Sequence, residues 1–325
     1  MKKNIAVVGC GHWGRNLVRN FSELGVLAAV CDPNDKLAQS YAEKYNVGNF
    51  SFEVILANPA IEGVVLAVPA SLHASMAKEA MNAGKNVYVE KPLAMDRIEA
   101  EAMIASAKLN GVQLMVGHLL QYHPVFKTVR GLVESGELGS LTYVYSNRLS
   151  FGKVRLEEDV IWSFAPHDIS MILSLTGQEP EKVRTESSCI IQPDKADIAT
   201  IHMEFNSALK AHVLISWLHP YKEQKLVVIG KDATLVFNDT KPWDEKLAVY
   251  RHILKATGDL PSLEKAEVKY LEVPQSEPLR NECQHFLDVV SGNVEPLTDG
   301  DEGLRVLKVL SAASLSESKN EEVRF

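Results

Sequence analysis

The chain has no run of apolar residues long enough to span a bilayer. Its hydrophobic stretches are strand-length pieces such as 26–31 and 63–68, far short of the roughly 20 residues a membrane helix needs. Basic charge is not in excess either. The 34 Lys and Arg stand against 42 Asp and Glu, a formal net charge of −8, which argues against nucleic acid or an anionic membrane as partner. Cysteine is sparse: Cys10, Cys31, Cys189 and Cys283 lie far apart, in neither a zinc spacing nor a disulfide framework. They read as reduced thiols of a cytoplasmic protein. His202, His212, His252 and His285 share no metal-ligand spacing, and no Ser-His-Asp or activated-cysteine arrangement is visible. There is no repeat, low-complexity linker or charged tail. Lys2 and Lys3 ahead of Val7-Val8-Gly9-Cys10 superficially resemble a lipoprotein signal, but the apolar segment is too short for one.

What is present begins at once. Residues 5–14 read Ile-Ala-Val-Val-Gly9-Cys-Gly11-His12-Trp13-Gly14, an amphipathic stretch with Leu17, Val18, Phe21 and Leu24 follows, and Asp32 closes a second apolar run from Val26 to Cys31. Strand, GxGxxG, helix, strand and terminal acid in this register predict a dinucleotide site. Gly9 allows the tight turn, Gly11 admits a pyrophosphate to the backbone, and Gly14 lets the helix pack on the strand. The phosphates meet the free N–H groups and positive dipole end of a helix beginning near His12. Asp32 is spaced to accept hydrogen bonds from the adenosine ribose and to repel a 2′-phosphate. Pro33, Asn34 and Asp35 bring no arginine to neutralise one, so NAD is expected over NADP.

The first 120 residues alternate apolar strands (4–9, 26–31, 63–68, 86–90, 113–117) with helical patterns (12–24, 34–45, 71–83, 96–109). That is the grammar of a doubly wound parallel sheet. A helix at 123–135 follows, and then longer alternating strands at 141–150, 182–191, 197–205, 208–217, 224–230 and 233–238. Asn206-Ser207 and Gly230-Lys231-Asp232 are short enough for antiparallel hairpins. Helices are expected at 165–176, 276–291 and 300–317. The fold class is therefore α/β, a Rossmann domain (1–120) followed by an α+β domain with a large, mostly antiparallel sheet (121–325). The two domains are expected to pack together around a cleft.

Glu90-Lys91-Pro92 follows the strand at 86–90, and strand C-terminal ends face the cofactor crevice in such sheets. A lysine there can reach a substrate hydroxyl lying against the nicotinamide. Taken with Gly9-Cys-Gly11-His12-Trp13-Gly14, Val68-Pro69, His73 and Gly117-His118, this chain resembles the Gfo/Idh/MocA oxidoreductases over essentially its whole length. The resemblance implies sugar, cyclitol or related polyol substrates and a sheet that packs against a neighbouring subunit, as a homodimer or homotetramer. It assigns the cofactor contacts to Gly9, Gly11, His12, Trp13, Gly14, Asp32, Pro69, His73 and Glu90, and a role in the substrate pocket to Lys91. In relatives the peptide before Pro92 is often cis.

Trp162-Ser163-Phe-Ala-Pro166-His167-Asp168, preceded by Asn147-Arg148-Leu-Ser-Phe-Gly152, resembles the branch acting on nucleotide-linked amino sugars. Its members oxidise the 3-hydroxyl of a UDP-N-acetylhexosamine or its uronate ahead of transamination, a step of cell-surface polysaccharide synthesis. His167, at a helix entry whose positive dipole end keeps the imidazole neutral, is expected to accept the hydroxyl proton. Lys91 is the other candidate base. His118, Tyr122, Arg148 and Ser163 are candidate substrate contacts, and Arg155 reads as a solvated loop residue. Two departures from the family pattern stand out. Ser163 occupies a place where many relatives have aspartate, and can orient the imidazole or cap the helix. Gln121 replaces an arginine. Two other functions remain open: oxidation of a free inositol or monosaccharide, and non-catalytic sensing of dinucleotide and sugar.

Overall fold

The computed structural model describes the chain apart from residues 1, 3, 153, 156, 157, 207, 258 and 259 and the side chains of 253–263. Ser207, half of an expected turn, thus lies outside the described residues. The chain gathers into two compact units, Met1–Tyr122 with Glu277–Leu307, and His123–Ser276 with Lys308–Phe325.

The first unit is built on six parallel strands, β1 (Ile5–Val8), β2 (Leu27–Cys31), β3 (Gly48–Asn49), β4 (Gly63–Leu66), β5 (Asn86–Glu90) and β6 (Leu114–Gly117), in the order β3-β2-β1-β4-β5-β6. Every residue of β1, β4 and β6 is buried, as continuous apolar strands covered on both faces require. The direction of winding reverses between β1 and β4, the switch point at which such sheets bind ligands beyond their strand ends. The covering helices are α1 (Gly14–Glu23), α2 (Asp35–Tyr45), α3 (Phe52–Ala57), α4 (His73–Asn82) and α5 (Arg97–Asn110). Asn34 caps α2 by accepting from Leu37 N at 3.2 Å, and Asp96 caps α5 by accepting from Glu99 N at 2.9 Å. The short β3 and α3 carry too few residues to leave a periodic signal, and the sequence reading passed over both.

The second unit opens with α6 (Pro124–Glu134) and continues through β7 (Leu141–Phe151), α7 (Val160–Thr176), β8 (Lys182–Ser188), β9 (Ile198–Glu204), β10 (Lys210–Ser216), β11 (Leu218–Gly230), β12 (Thr234–Asn238), β13 (Leu247–Tyr250), β14 (Ile253–Thr257), β15 (Leu260–Glu264) and β16 (Lys269–Tyr270). The large sheet is mostly antiparallel, with β7 and β10 its one parallel pair among the described residues. α7 packs on β7 and β10, against a face to which Val144, Ser146, Ala211, Val213 and Ile215 belong. The opposite face carries Tyr143, Tyr145, His202 and His212, with the Tyr145 and His212 rings stacked at 5.2 Å.

Two helices close the fold. α8 (Pro278–Val290) belongs to the first unit, where Leu279, Cys283 and Phe286 join the core of α1, and the Phe21 and Phe286 rings meet edge to face at 6.3 Å. α9 (Gly300–Lys319) gives its opening turns to the first unit and the rest to the second, and β17 (Val323–Arg324) then pairs with β8. The expected single boundary near residue 120 is corrected accordingly, because the apolar face of α8 is buried against residues more than two hundred positions earlier in the chain. Among the described residues, no helix is long and apolar enough to cross a membrane.

Candidate active site

The glycine turn follows β1. Gly9 has φ +94°, and a Cβ on it would lie 2.3 Å from the Ala67 carbonyl oxygen. A Cβ on Gly14 would lie 1.9 Å from the Gly9 carbonyl oxygen, so only glycine lets α1 start this close to the strand. Around Gly11 the space is open: a Cβ there meets nothing within 4 Å. α1 has Trp13 as its N-cap and no acidic residue in its first turn. An open backbone face over an unblocked helix N-terminus fits a pyrophosphate. Asp32 closes the turn from behind, accepting from Cys10 N at 2.7 Å through Oδ2 and from Asn34 N at 2.9 Å through Oδ1. Each oxygen keeps a lone pair for a ribose hydroxyl. Burial and the Asp32 charge push the Cys10 thiol up to about 12, so it stays neutral beside the turn.

The Lys91 loop is fixed from two sides. Trp13 Nε1 donates to Glu90 Oε1 at 2.5 Å, and the Tyr88 hydroxyl donates to the same oxygen at 3.0 Å. Burial raises the pKa of the Glu90 carboxyl, against the lowering effect of Trp13, Tyr88 and the Lys91 charge. On α8, Glu282 is fully buried, and burial, with the Glu90 charge, raises its pKa well above the carboxylate range. His73 staples the other side: Nδ1 lies 2.8 Å from the Pro92 carbonyl oxygen and Nε2 lies 3.0 Å from that of Val68. Burial lowers the pKa of this imidazole, opposed by its two carbonyl partners. The Lys91–Pro92 peptide is cis. His73, expected among the cofactor contacts, is 1 % exposed and spends both ring nitrogens on backbone. It positions the loop instead. His12 and Pro69, also expected contacts, lie exposed near the turn and before α4.

In the second unit α7 begins at Val160, not near 165, because Asp159 caps it by accepting from Trp162 N at 3.0 Å. Ser163 is therefore an interior helical residue, buried to 4 % exposure, and the capping reading of it is overturned. It stands one turn before His167, where i and i+4 side chains share a face. His167 is half-buried and well inside the helix, so the helix-entry argument for its neutrality does not apply. Pro166 also lies inside α7 and brings no N–H to the helix ladder.

The remaining candidate contacts are engaged within the protein. Tyr122 is fully buried, with its hydroxyl 2.9 Å from Thr298 Oγ1. His118, 1 % exposed, sets Nδ1 2.5 Å from Glu302 Oε2 at the start of α9. Arg148 donates through Nε to Asp168 Oδ2 at 2.6 Å. Arg155 is exposed and paired with Glu158 at 2.5 Å. Glu282 and Glu302 left no signal in the sequence, since charged residues on a helix normally mark its solvated side, and Thr298 left none because it lies in the turn between α8 and α9. Among the described residues, no cluster of three or more His, Cys, Asp or Glu is arranged to hold a metal.

A glycine turn on a switch-point helix, an acid at the end of β2 and a lysine loop at the end of β5 define a Rossmann oxidoreductase that binds a dinucleotide. Comparison with known proteins carries this further. Residues 3–118 match the oxidoreductase family with NAD-binding Rossmann fold, Gfo/Idh/MocA, and residues 126–236 match the Gfo/Idh/MocA C-terminal domain. A UDP-N-acetylglucosamine 3-dehydrogenase of Acidithiobacillus ferrooxidans is 30 % identical over 306 residues, 93 % of each chain. The solved structure of that organism's UDP-N-acetylglucosamine 3-dehydrogenase GnnA superposes with a TM-score of 0.86 at 26 % identity, covering 97 % of this chain and 98 % of the other. The NAD(+) scyllo-inositol 2-dehydrogenase of Bacillus subtilis is 24 % identical over 96 % of this chain and 93 % of its own. The chain belongs to the Gfo/Idh/MocA oxidoreductase family, and its cofactor is NAD.

Proposed function

We propose that this oxidoreductase oxidises the 3-hydroxyl of a UDP-linked N-acetylhexosamine or its uronate, yielding a 3-keto sugar for transamination. The UDP-N-acetylglucosamine 3-dehydrogenase, similar along nearly the whole chain, supports this substrate. The observation that carries the chemistry is the Lys91 loop, held at the end of β5 by Glu90 and His73, in the same unit as the glycine turn. NAD, when bound, accepts the hydride from the alcohol carbon. The Lys91 ammonium hydrogen-bonds the reacting oxygen and steadies its developing negative charge. His167 accepts the hydroxyl proton, with Ser163 one turn away to orient or relay. Asp32 holds the adenosine ribose, and the open face of Gly11 receives the pyrophosphate. The reaction is cytoplasmic in this reading. The enzyme works as a homodimer or homotetramer joined through the sheet face carrying Tyr145 and His212, whose aromatic rings suit burial against a second copy.

The test is NADH formation by the purified protein across UDP-N-acetylglucosamine, its uronate, free N-acetylglucosamine, glucose and inositol. Turnover confined to UDP-sugars is expected. The relationship to inositol dehydrogenases makes turnover of inositol alone the outcome that reassigns the substrate. Binding of NAD and a sugar without turnover assigns a sensor.

A further inference from the structure

We propose that Arg148 and Asp168 form a positioning pair that holds His167 in its working orientation, and that Arg148 does not itself contact substrate. This deepens the proposed function and rests on the reading of His167 as proton acceptor.

Asp168 is buried and Arg148 is largely covered. The Asp168 side chain is 1 % exposed and that of Arg148 is 11 % exposed. Arg148 reaches Asp168 twice, Nε to Oδ2 at 2.6 Å and Nη2 to Oδ1 at 3.3 Å. Oδ1 also accepts from Ser146 Oγ at 2.5 Å. Gln224 faces Arg148 across the β7–β11 register. With its amide oxygen toward Arg148, Gln224 accepts from Nη1 at 3.0 Å and donates to Asp239 Oδ2 at 3.3 Å. Each of the three guanidinium nitrogens therefore has a protein partner, which commits three of the five N–H donors and fixes the plane of the guanidinium against Asp168 and Gln224.

The location gives the pair its consequence. Asp168 directly follows His167 on α7, while Arg148 and Ser146 lie on the strand beneath. Tying Asp168 to β7 fixes the rotation of α7 about its own axis, and with it the direction in which the next side chain leaves the helix. The helix needs that tie at this point. Pro166 deprives it of one ladder hydrogen bond within two residues of the tie, so backbone bonding alone holds this turn less firmly. A buried charge pair is an expensive way to add stability, but a good way to select one packing of helix on sheet.

The experiment compares R148K, D168N, the double variant R148K/D168N, S146A and H167A, measuring kcat, KM for the sugar and KM for NAD, with thermal midpoints to follow folding. R148K and D168N are each expected to lower kcat about tenfold or more, with both KM values within about twofold of native. The double variant should be no worse than the poorer single, because the two residues act as one unit. S146A should lower kcat less, in the same direction, and it serves as the readout if either charge variant fails to fold. A raised sugar KM with native kcat in R148K would make Arg148 a substrate ligand and overturn the proposal. Native kcat in D168N, or in S146A where D168N does not fold, also overturns it. If H167A is inactive while D168N is native, the proton-acceptor reading stands and only the positioning pair falls. Native turnover in H167A removes both.

Discussion

Trp13 of the glycine turn donates its indole N–H to Glu90 at 2.5 Å, joining residues 77 positions apart. The turn that receives the dinucleotide and the loop that carries Lys91 are thereby one rigid assembly, with Tyr88 and the buried Glu282 behind it. Trp13→Phe keeps the ring and removes the bond. A hydrogen bond to a charged group is worth about 1.5–3 kcal/mol, so NAD affinity and kcat should fall together. A variant with native values for both would show that the tie is incidental.

Asp32→Ala should narrow the preference for NAD over NADP, since the carboxylate that repels a 2′-phosphate is gone. It should also cost stability, about 1–3 kcal/mol, because Cys10 N and Asn34 N lose their acceptor. Fluorescence titration with both dinucleotides, alongside urea unfolding, separates the two effects. Equal affinity of the native protein for NAD and NADP would contradict the role given to Asp32.

Lys91→Ala should reduce kcat by orders of magnitude, because charge stabilisation at the reacting oxygen is worth several kcal/mol. NAD binding should persist, since the glycine turn and Asp32 are untouched. Near-native turnover would reduce Lys91 to a loop residue.

His167→Ala should cost roughly a hundredfold or more in kcat, and Ser163→Ala much less, in keeping with a neutral hydrogen bond worth about 0.5–1.5 kcal/mol. Ser163→Asp tests the family departure directly. Placed one turn from His167, a carboxylate should favour the imidazolium formed in the reaction and preserve or raise activity at neutral pH. A pH–rate profile unchanged in all three variants would place the proton acceptor elsewhere.

Asp239 should give the second unit an acid-sensitive contribution to stability. Burial works against its charge, but His123 and Lys246 outweigh it and lower the pKa of the carboxyl from 3.8 to about 2. A lowered folded pKa means the contribution is complete above the unfolded value, near 3.8, and is lost as pH falls through about 2. Asp239→Asn should therefore be roughly 2 kcal/mol less stable at pH 5–6, with the difference shrinking between pH 4 and pH 2. Urea midpoints across that range check it; a difference independent of pH would rule out the charge as its source.

The sequence by itself determined five of the six strands of the first unit, the glycine turn, the acid at Asp32 and the lysine loop, because each follows from local rules. Continuous apolar runs make buried parallel strands, and glycine is the residue for a φ of +94° or a 1.9 Å approach. It also fixed the change to long alternating strands after residue 120. Only the tertiary structure decided that α8 joins the first unit, that His73, His118 and Tyr122 find partners within the protein, and that Arg148 answers Asp168. Apart from Val68, five residues from His73, those partners lie 19 to 184 positions away. A polar side chain looks the same in sequence whether it faces substrate or a buried partner, and the pairing emerges only when distant elements pack together.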